Sequence, residues 1–432
     1  MNLSQDQISH LKRWRTSTFF VMLFGYIGYY MVRKNLSSAL PLLETAFNYS
    51  NSDLGIIASW ATLVYSCGKF INGPLGDKVG GRKMFLIGMA GAICCNVLFS
   101  FGDSITYFTV SWCLCSYFLS MGWGGLAKVI GAWYEPEKNG TVMGVISLNF
   151  QFGGVVTTLF TGYLVSLGCT WDKLFLYPAM VVTFVWIWSF FYSRDKPSDV
   201  IEGASFSSST GKKDSIADFE DKASVFEIMK KLLSMPVFRN LLIYSFVTTM
   251  LRAVFFVWTP KFLVDIGMGS SNAILKSALF PFLGCLGTVM LGYYTDKYVK
   301  NGDRAKAMWI MLLGLVVSLF LVAYLAPQGM QHANTIVILV GFCGFFLLGP
   351  YSMSSGCLTL DIAGSKGAGS CTGLIDGIGY IGAAIATWGA GQLSDSLGWA
   401  QVFQVLGFLS IGAVISAYMM SQHFQKINNE TN

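Results

Sequence analysis

Long apolar stretches, separated by short polar turns, run through almost the whole chain. A helix needs about 20 residues to cross the roughly 30 Å hydrocarbon core of a bilayer. Twelve stretches approach or exceed that length, and we number them as predicted spans 1 to 12. In order, they cover residues 16–43, 53–76, 84–102, 106–134, 141–167, 174–193, 240–263, 272–295, 305–326, 334–359, 368–393 and 400–421. The pattern predicts an all-α membrane protein with twelve transmembrane helices.

One hydrophilic segment interrupts this pattern between spans 6 and 7. Residues 194–239 are rich in Ser, Gly, Lys and Asp, a composition typical of a linker. We therefore predict an N-terminal six-helix bundle over residues 1–193, a cytoplasmic linker over 194–239 and a C-terminal six-helix bundle over 240–432. Within the linker, residues 225–233 predict a short amphipathic helix.

The composition excludes a soluble protein, because 53% of the residues are hydrophobic, 12% are charged and the mean hydropathy is +0.55. The net charge is +6, and Lys and Arg gather in the N-terminus, the turn after span 2, the linker and the turn after span 8. Basic turns mark the cytoplasmic side, so we predict cytoplasmic termini in a bacterial inner membrane and no nucleic-acid partner. The ten cysteines lie mostly in apolar runs without metal-ligand spacing, so we expect no metal and no cofactor.

The two halves of the chain repeat one another at a fixed offset. Four pairs of identical residues are each 219 positions apart and occupy matching places in the predicted spans: Arg33 and Arg252, Pro41 and Pro260, Gly73 and Gly292, Asp77 and Asp296. A Gly-x-x-x-Asp pattern therefore ends both span 2 and span 8. The repeat indicates that a six-helix unit was duplicated in parallel orientation.

The segment "GPLGDKVGGRK" at residues 73–83 resembles the loop signature of the major facilitator superfamily, and "GYYTDKYVKNGDR" at 292–304 is a degenerate copy of it. The resemblance implies two pseudo-symmetric six-helix bundles that rock about a central site. It also implies that Asp77, Arg82 and Asp296 make charge contacts that break during this motion. A solvated basic turn is the alternative interpretation for Arg82.

Five further segments resemble the organophosphate:phosphate antiporter family, which includes glycerol-3-phosphate and hexose-phosphate exchangers and eukaryotic sugar-phosphate exchangers. They are "YYMVRKN" in span 1, "YSCGKFINGPLGD" in span 2, "MGWGGLAKVIGAWYEPEKNGT" in span 4, "LRAVFFVWTPKFL" in span 7 and "LIDGIGYIGAA" in span 11. The resemblance implies that Arg33 and Arg252 bind the phosphoryl group from the two halves. It also places basic substrate positions at Lys69 and Lys128, and a cavity tyrosine at Tyr380.

The residues themselves support an anion site. Each Lys or Arg at the middle of a bilayer costs about 2.5–3.5 kcal/mol on insertion scales, so the cations of the spans are expected to face a polar cavity. Arginine suits a phosphoryl group because its planar fork donates two parallel hydrogen bonds and keeps its proton. Snorkelling to the headgroups is the alternative for Lys69 and Lys128.

The likeness to the family is incomplete around Lys34. Bacterial members pair this lysine with acidic residues, but Val257 and Pro281 stand at the matching positions here. We therefore predict a pair between Lys34 and Asp376 of span 11 that rearranges when substrate enters. Contact of Asp376 with substrate hydroxyls or a backbone amide is the alternative.

Phe150 stands where bacterial members carry a substrate-contacting histidine, which leaves the selectivity open. Asn149 and Gln151 flank it and are predicted to bind substrate hydroxyls, with helix-to-helix hydrogen bonding as the alternative. Tyr30 and Trp258 lie near the depth of the arginines and are predicted to contact the substrate. Packing is the alternative for these aromatic residues.

We predict a monomeric secondary transporter that exchanges a small phosphorylated metabolite for inorganic phosphate by alternating access, with membrane lipid around it. No nucleophile and base lie in plausible register within the spans, so an enzyme is not expected. Two alternatives stay open from the sequence: a transport-like membrane sensor of sugar phosphate, and a transporter of another organic anion such as a polycarboxylate.

Overall fold

The computed structural model describes residues 4–135, 142–143, 145–204, 225–299, 303–354 and 357–431. Every regular element in these ranges is helical. Two 3₁₀ segments occur at Pro197–Asp199 and Ala326–His332. The α-helices are Gln5–Phe47 (α1), Asn51–Val79 (α2), Gly81–Phe99 (α3), Ile105–Leu119 (α4), Met121–Trp133 (α5), Asn149–Ser166 (α6), Lys173–Tyr192 (α7), Val225–Ser234 (α8), Pro236–Asp265 (α9), Ser270–Ser277 (α10), Leu279–Tyr298 (α11), Arg304–Leu325 (α12), Ala333–Ser354 (α13), Cys357–Ser396 (α14) and Trp399–Thr431 (α15).

Each predicted span falls on a described helix, so the predicted all-α fold is confirmed. Span 4 is divided into α4 and α5, and span 8 is divided into α10 and α11. α9 begins at Pro236, earlier than the predicted start at residue 240, because a proline fits the first turn of a helix and has no N–H to leave unbonded there. α8 corresponds to the short amphipathic helix predicted at 225–233.

The break between α4 and α5 is slight. At Ser120 the backbone stays in the right-handed helical region, and its N–H lies 3.1 Å from the Ser116 carbonyl and 3.2 Å from the Tyr117 carbonyl. The Ser120 hydroxyl donates to the Tyr117 carbonyl at 2.6 Å and accepts a hydrogen bond from Asn72 Nδ2 at 2.7 Å. A serine that competes for backbone carbonyls thus marks the interruption.

The chain divides into two compact units. The first comprises Met1–Ala46 and Trp60–Gly211, and the second comprises Phe47–Ser59 and Lys212–Asn432. The division at 211/212 falls inside the predicted linker. The segment Phe47–Ser59, which contains the first turns of α2, packs with the second unit, although the rest of α2 belongs to the first.

Buried asparagines join three helices of the first unit. Asn35 Nδ2 of α1 donates to Asn96 Oδ1 of α3 at 2.7 Å and to the Leu174 carbonyl of α7 at 3.1 Å. Asn96 Nδ2 donates in turn to the Val32 carbonyl at 3.0 Å. A buried amide has to find its hydrogen bonds within the protein, so this network fixes the rotation of α1 against α3 and α7.

Aromatic packing positions α9 in the second unit. The Phe255 ring stacks on Phe280 of α11 with 4.8 Å between centroids, and it lies 5.8 Å from the Phe403 ring of α15. All three rings are buried. The stack therefore fixes the rotation of α9 relative to α11 and α15.

Two contacts define the register between α9 and α14. A Cβ on Gly379 would lie 2.8 Å from Thr249 Oγ1, so glycine is needed for this close approach. Nine residues further along α9, the Trp258 indole N–H donates to the Thr387 carbonyl at 3.0 Å. Residue numbers thus rise together along both helices, which means that α9 and α14 run parallel.

Nine stretches among the described residues are long and apolar enough to cross a bilayer. One of them, Arg304–Ser354, contains predicted span 9 and most of predicted span 10. Large apolar side chains are exposed on these helices, including Phe184 at 73% and Val317 at 59%. Such exposure is unfavourable in water and suits a surface surrounded by lipid. The chain is a multi-pass integral membrane protein.

Candidate functional site

Arg33, Tyr65 and Lys69 lie together in the first unit. The Arg33 guanidinium is 4.2 Å from the centre of the Tyr65 ring of α2, and the Lys69 ammonium is 5.5 Å from the same centre. Tyr30, almost one turn before Arg33 on α1, is buried and its ring centre lies 5.7 Å from the guanidinium. Each cation is attracted by the ring face. Two positive charges thus contact one ring, which is an arrangement that an anion would stabilise.

The packing of α1 sets the direction of Arg33. Successive residues of an α-helix are about 100° apart, so side chains two positions apart lie on nearly opposite faces. Asn35 is held on the side of α1 that meets α3 and α7. Arg33 is thereby turned towards α2, where Tyr65 lies.

Lys34 lies about 100° around α1 from Arg33. It is 5% exposed, and its ammonium donates a hydrogen bond to Ser37 Oγ at 3.1 Å. A pair between Lys34 and Asp376 joins residues of different units and stays a prediction.

Arg252 holds the corresponding place in the second unit. It is 8% exposed, and its guanidinium lies 4.9 Å from the centre of the Tyr351 ring of α13. As in α1, a proline follows the arginine inside the same helix, at Pro41 in α1 and Pro260 in α9. Each unit therefore holds one arginine of the internal repeat against a tyrosine ring of a neighbouring helix.

Tyr380 and Asp376 of α14 lie at different levels relative to Arg252. The register between α9 and α14 places buried Tyr380 within one turn of the level of Arg252. Half-buried Asp376 is about 9 Å from that level, towards the N-terminal ends of both helices. Tyr380 is thus the member of this pair that lies near the level of the arginine.

Lys128 of α5 lies apart from Lys69. A Cβ on Gly76 would be 3.4 Å from Lys128 Nζ, and a Cβ on Gly81 would be 2.8 Å from Lys128 Cβ. Gly76 is seven residues beyond Lys69 on α2, which is about 10 Å along the helix axis. The structure places Lys128 beside the α2–α3 turn, and its predicted substrate role stays a prediction.

Three other predicted substrate contacts have almost no exposed surface: Asn149 at 3%, Gln151 at 1% and Trp258 at 1%. Asn149 Nδ2 donates to the Leu23 carbonyl of α1 at 3.0 Å. The Trp258 ring lies 5.8 Å from the Trp399 ring. For Asn149 and Trp258, the geometry favours the alternative in which they join helices.

The signature turn between α2 and α3 is fixed to the end of α7. Gly80 has a φ of +97°, the left-handed region that favours glycine. The Asp195 carboxylate accepts the Arg82 backbone N–H at 2.8 Å, and Arg82 Nε donates to Ser193 Oγ at 3.0 Å. Arg82 is therefore part of a structured junction and does not belong to a freely solvated turn.

The side chains of Asp77 and Asp296 lie outside the described residues, so their predicted gating roles stay predictions. Sequence reasoning missed three contributors: Tyr65 and Tyr351 against the arginines, and Asp195 at the signature turn. For Asp195, the signal was its place directly after span 6, opposite the basic residues of the turn. The two tyrosines carry no comparable signal among the 19 of the chain.

The sequence pattern of the family described as Major Facilitator Superfamily matches residues 22–387. The chain belongs to this superfamily. The match extends into both units and includes every residue of the candidate site. It confirms the fold expected from the loop signature and the internal repeat.

Several named relatives resemble the chain over most of its length. The glycerol-3-phosphate transporter of Bacillus subtilis is 25% identical, over 94% of this chain and 91% of the relative. A probable hexose phosphate transport protein of Chlamydia pneumoniae is 26% identical, over 91% of this chain and 88% of the relative. The membrane sensor protein UhpC of Escherichia coli is 26% identical, over 94% and 91%. These relatives confirm the resemblance to the organophosphate:phosphate antiporter family.

Solved structures confirm the superfamily fold. A bacterial homologue of the human lysosomal transporter Spinster, inward-facing and unoccupied, has a TM-score of 0.75 at 16% identity, covering 96% of this chain and 98% of its own. The D-xylose-proton symporter has a TM-score of 0.73 at 12% identity, covering 94% and 97%. At such identities the likeness concerns the fold alone.

Proposed function

We propose that this membrane protein is a secondary transporter that exchanges a phosphorylated metabolite, of the sugar phosphate or glycerol phosphate type, for inorganic phosphate. The observation that carries the proposal is the Arg33 and Lys69 pair around the Tyr65 ring, together with Arg252 at the matching place of the second unit. The relatives named as glycerol-3-phosphate and hexose phosphate transporters support the same substrate class.

Charge counting supports an anionic substrate. The predicted spans of the first half contain no Asp or Glu beyond Asp53 at the start of span 2, yet they contain Arg33, Lys34, Lys69 and Lys128. Each such cation costs about 2.5–3.5 kcal/mol if it faces lipid. A bound dianion offsets that cost, and it does so best where cations are already held together.

Exchange follows from the same charges. In alternating access the binding site has to close before the carrier reorients. Closing an empty site would bring like charges together in a medium of low dielectric constant, whereas a phosphate or organophosphate neutralises them. The unloaded carrier is therefore expected to reorient slowly, and exchange is expected to be obligatory.

A sensor is the second candidate, because the relative from Escherichia coli is named a membrane sensor protein. A sensor binds the same phosphorylated ligand but does not move it across the membrane at a useful rate. A transporter of another organic anion such as a polycarboxylate is the third candidate, since Phe150 replaces the histidine of bacterial family members.

Counterflow in proteoliposomes separates these candidates. We expect vesicles loaded with phosphate to take up labelled phosphate when phosphate or a sugar phosphate is present on both sides, and empty vesicles to take up almost none. Binding without counterflow would identify a sensor. Counterflow with tricarboxylates but not with organophosphates would overturn the proposed substrate class, and robust uptake into empty vesicles would overturn exchange.

The proposed arrangement in the membrane follows from the charge distribution. Basic residues concentrate in the N-terminus, the α2–α3 turn, the linker and the α11–α12 turn, so we place both termini on the cytoplasmic side of a bacterial inner membrane. We propose that the protein acts as a monomer. Labelling of cysteines placed in opposite turns with a membrane-impermeant reagent tests this orientation.

A further inference from the structure

The Asp395 carboxylate, in the last turn of α14, caps the first turn of α2. Its Oδ1 accepts the Asn51 backbone N–H at 3.2 Å. Its Oδ2 accepts the Ser52 backbone N–H at 2.7 Å and the Ser52 hydroxyl at 2.6 Å. The first N–H groups of a helix have no acceptor in their own helix and carry partial positive charge. One carboxylate from a distant helix thus satisfies three donors of α2.

Close packing continues this contact along the segment Phe47–Ser59. The Ser59 hydroxyl donates to the Ala384 carbonyl at 2.8 Å. A Cβ on Gly391 would lie 2.5 Å from the Asn51 carbonyl oxygen, and a Cβ on Gly55 would lie 3.4 Å from the Trp258 ring. α2 therefore follows α14 for about two and a half turns, with glycine where the two backbones come closest.

Hydrogen bonds join α9 to α14 and to α15 in the second unit, with which the first turns of α2 pack. The Trp258 indole N–H donates to the Thr387 carbonyl at 3.0 Å, and the Trp399 indole N–H donates to Asp265 Oδ2 at 2.8 Å. Lys261, 1% exposed, forms an ion pair with Asp265. The hydrogen bond between buried Trp258 and Thr387 is costly to break, and Asp265 is held by both Lys261 and Trp399, so α9, α14 and α15 form a fixed base.

α2 passes from one unit to the other without interruption. Its residues up to Ser59 pack with the second unit, and those from Trp60 onward pack with the first. While α2 stays one continuous helix, a motion of one unit relative to the other has to break one of these two sets of contacts. The hydrogen bonds of Asp395 are the ones that water replaces most readily, because a carboxylate and backbone N–H groups are both well solvated once they separate.

We propose that Asp395 and the first turn of α2, at Asn51 and Ser52, form a clasp that opens and closes in each transport cycle. This inference rests on the proposed transport function and names the contact that the motion has to break. In the proposed orientation the clasp lies on the outer side of the membrane. Asp395 is a positioning residue, since it holds a helix and does not contact substrate.

A reversible lock tests the clasp. In a Ser52→Cys, Asp395→Cys variant, a short bifunctional methanethiosulfonate reagent joins the two sides, and a reducing agent separates them again. We expect the lock to reduce phosphate counterflow by at least about tenfold, with recovery after reduction. The control variant is Ser50→Cys, Asp53→Cys. Asp53 accepts its hydrogen bonds from Ser50 of the same segment, so this cross-link joins two neighbouring residues of one segment and should leave transport unchanged. Undiminished counterflow in the locked Ser52→Cys, Asp395→Cys variant would overturn the proposal.

A second measurement needs no transport and so separates failure of the clasp from failure of the proposed function. In a Cys67→Ser, Cys94→Ser background, which removes two exposed thiols, a Ser59→Cys substitution reports opening through the rate at which its thiol reacts with a water-soluble maleimide. We expect Gly391→Ala to raise this rate about tenfold, because the added methyl group collides with the α2 backbone. The matched Gly389→Ala variant adds a methyl group with nothing within 4 Å and should leave the rate unchanged. Equal rates in both variants would contradict the clasp whatever the transported substrate is.

Discussion

The Arg252→Lys substitution tests the proposed phosphoryl ligand while the positive charge is retained. Arg252 is 8% exposed and its guanidinium lies 4.9 Å from the centre of the Tyr351 ring. Lysine presents one ammonium in place of a planar fork, so one of two parallel hydrogen bonds to a phosphoryl group is lost. A hydrogen bond to a charged group contributes about 1.5–3 kcal/mol, and a buried cation–ring contact about 0.5–2 kcal/mol. Part of the ring contact survives with lysine, so we expect a loss of roughly 2–3 kcal/mol in substrate binding.

That loss corresponds to an increase of roughly 30- to 150-fold in the half-saturating phosphate concentration for counterflow. The matched control is Arg239→Lys, an exposed arginine near the start of the same helix, which should leave this concentration unchanged. Thermal unfolding of both variants checks that the fold is intact. A half-saturating concentration within about threefold of the parent protein would refute the reasoning, because a difference of about 0.7 kcal/mol is too small for a lost charged hydrogen bond.

Three further predictions concern the neighbourhood of the site. Tyr65→Leu removes the ring that Arg33 and Lys69 both contact and should weaken phosphate binding by roughly 2- to 30-fold, measured by the same half-saturation assay; an unchanged value would contradict the ring's role. Asp195→Ala removes the acceptor of the Arg82 backbone N–H. The unfolding temperature should fall by about 2–4 °C for each kcal/mol of unfolding free energy that this hydrogen bond contributes, and substrate affinity should change little. A Lys34→Met, Asp376→Asn double variant should lose most counterflow if the predicted pair rearranges during transport, and transport equal to that of the parent would count against the pair.

Most of the architecture could be predicted because the bilayer imposes a simple rule on the sequence. Apolar stretches of membrane-spanning length located every described transmembrane helix, and the repeated arginine and proline positions indicate a duplicated six-helix unit. The break at Ser120 was not predicted, because a serine inside an apolar stretch is compatible with an intact helix and only its bonds to Tyr117 and Asn72 reveal the interruption.

The site was predicted less completely, because the depth of a residue in the membrane does not determine which face of its helix the side chain occupies. Trp258 was predicted near the substrate from its depth, yet it is 1% exposed and bonds to the Thr387 carbonyl. Tyr65 is one aromatic residue among many in the sequence, yet two cations contact its ring. Which face a residue occupies depends on long-range contacts such as those of Asn35, and these are not local in the sequence.

Cations within the helices serve two purposes in this chain: some stabilise the structure, and others are proposed to bind substrate. The two kinds differ in the source of the negative charge that balances them. Lys261 pairs with Asp265 four residues along the same helix, and the Trp399 indole holds the other oxygen of that carboxylate. This network is closed within one unit, so it is suited to a permanent structural role beneath α2. Arg33 and Lys69 instead belong to the first half of the chain, whose predicted spans contain no Asp or Glu beyond Asp53 at the start of span 2. We propose that a bound anion supplies balancing charge there, and an anion that arrives from outside is also one that can leave, which is the property a transporter requires.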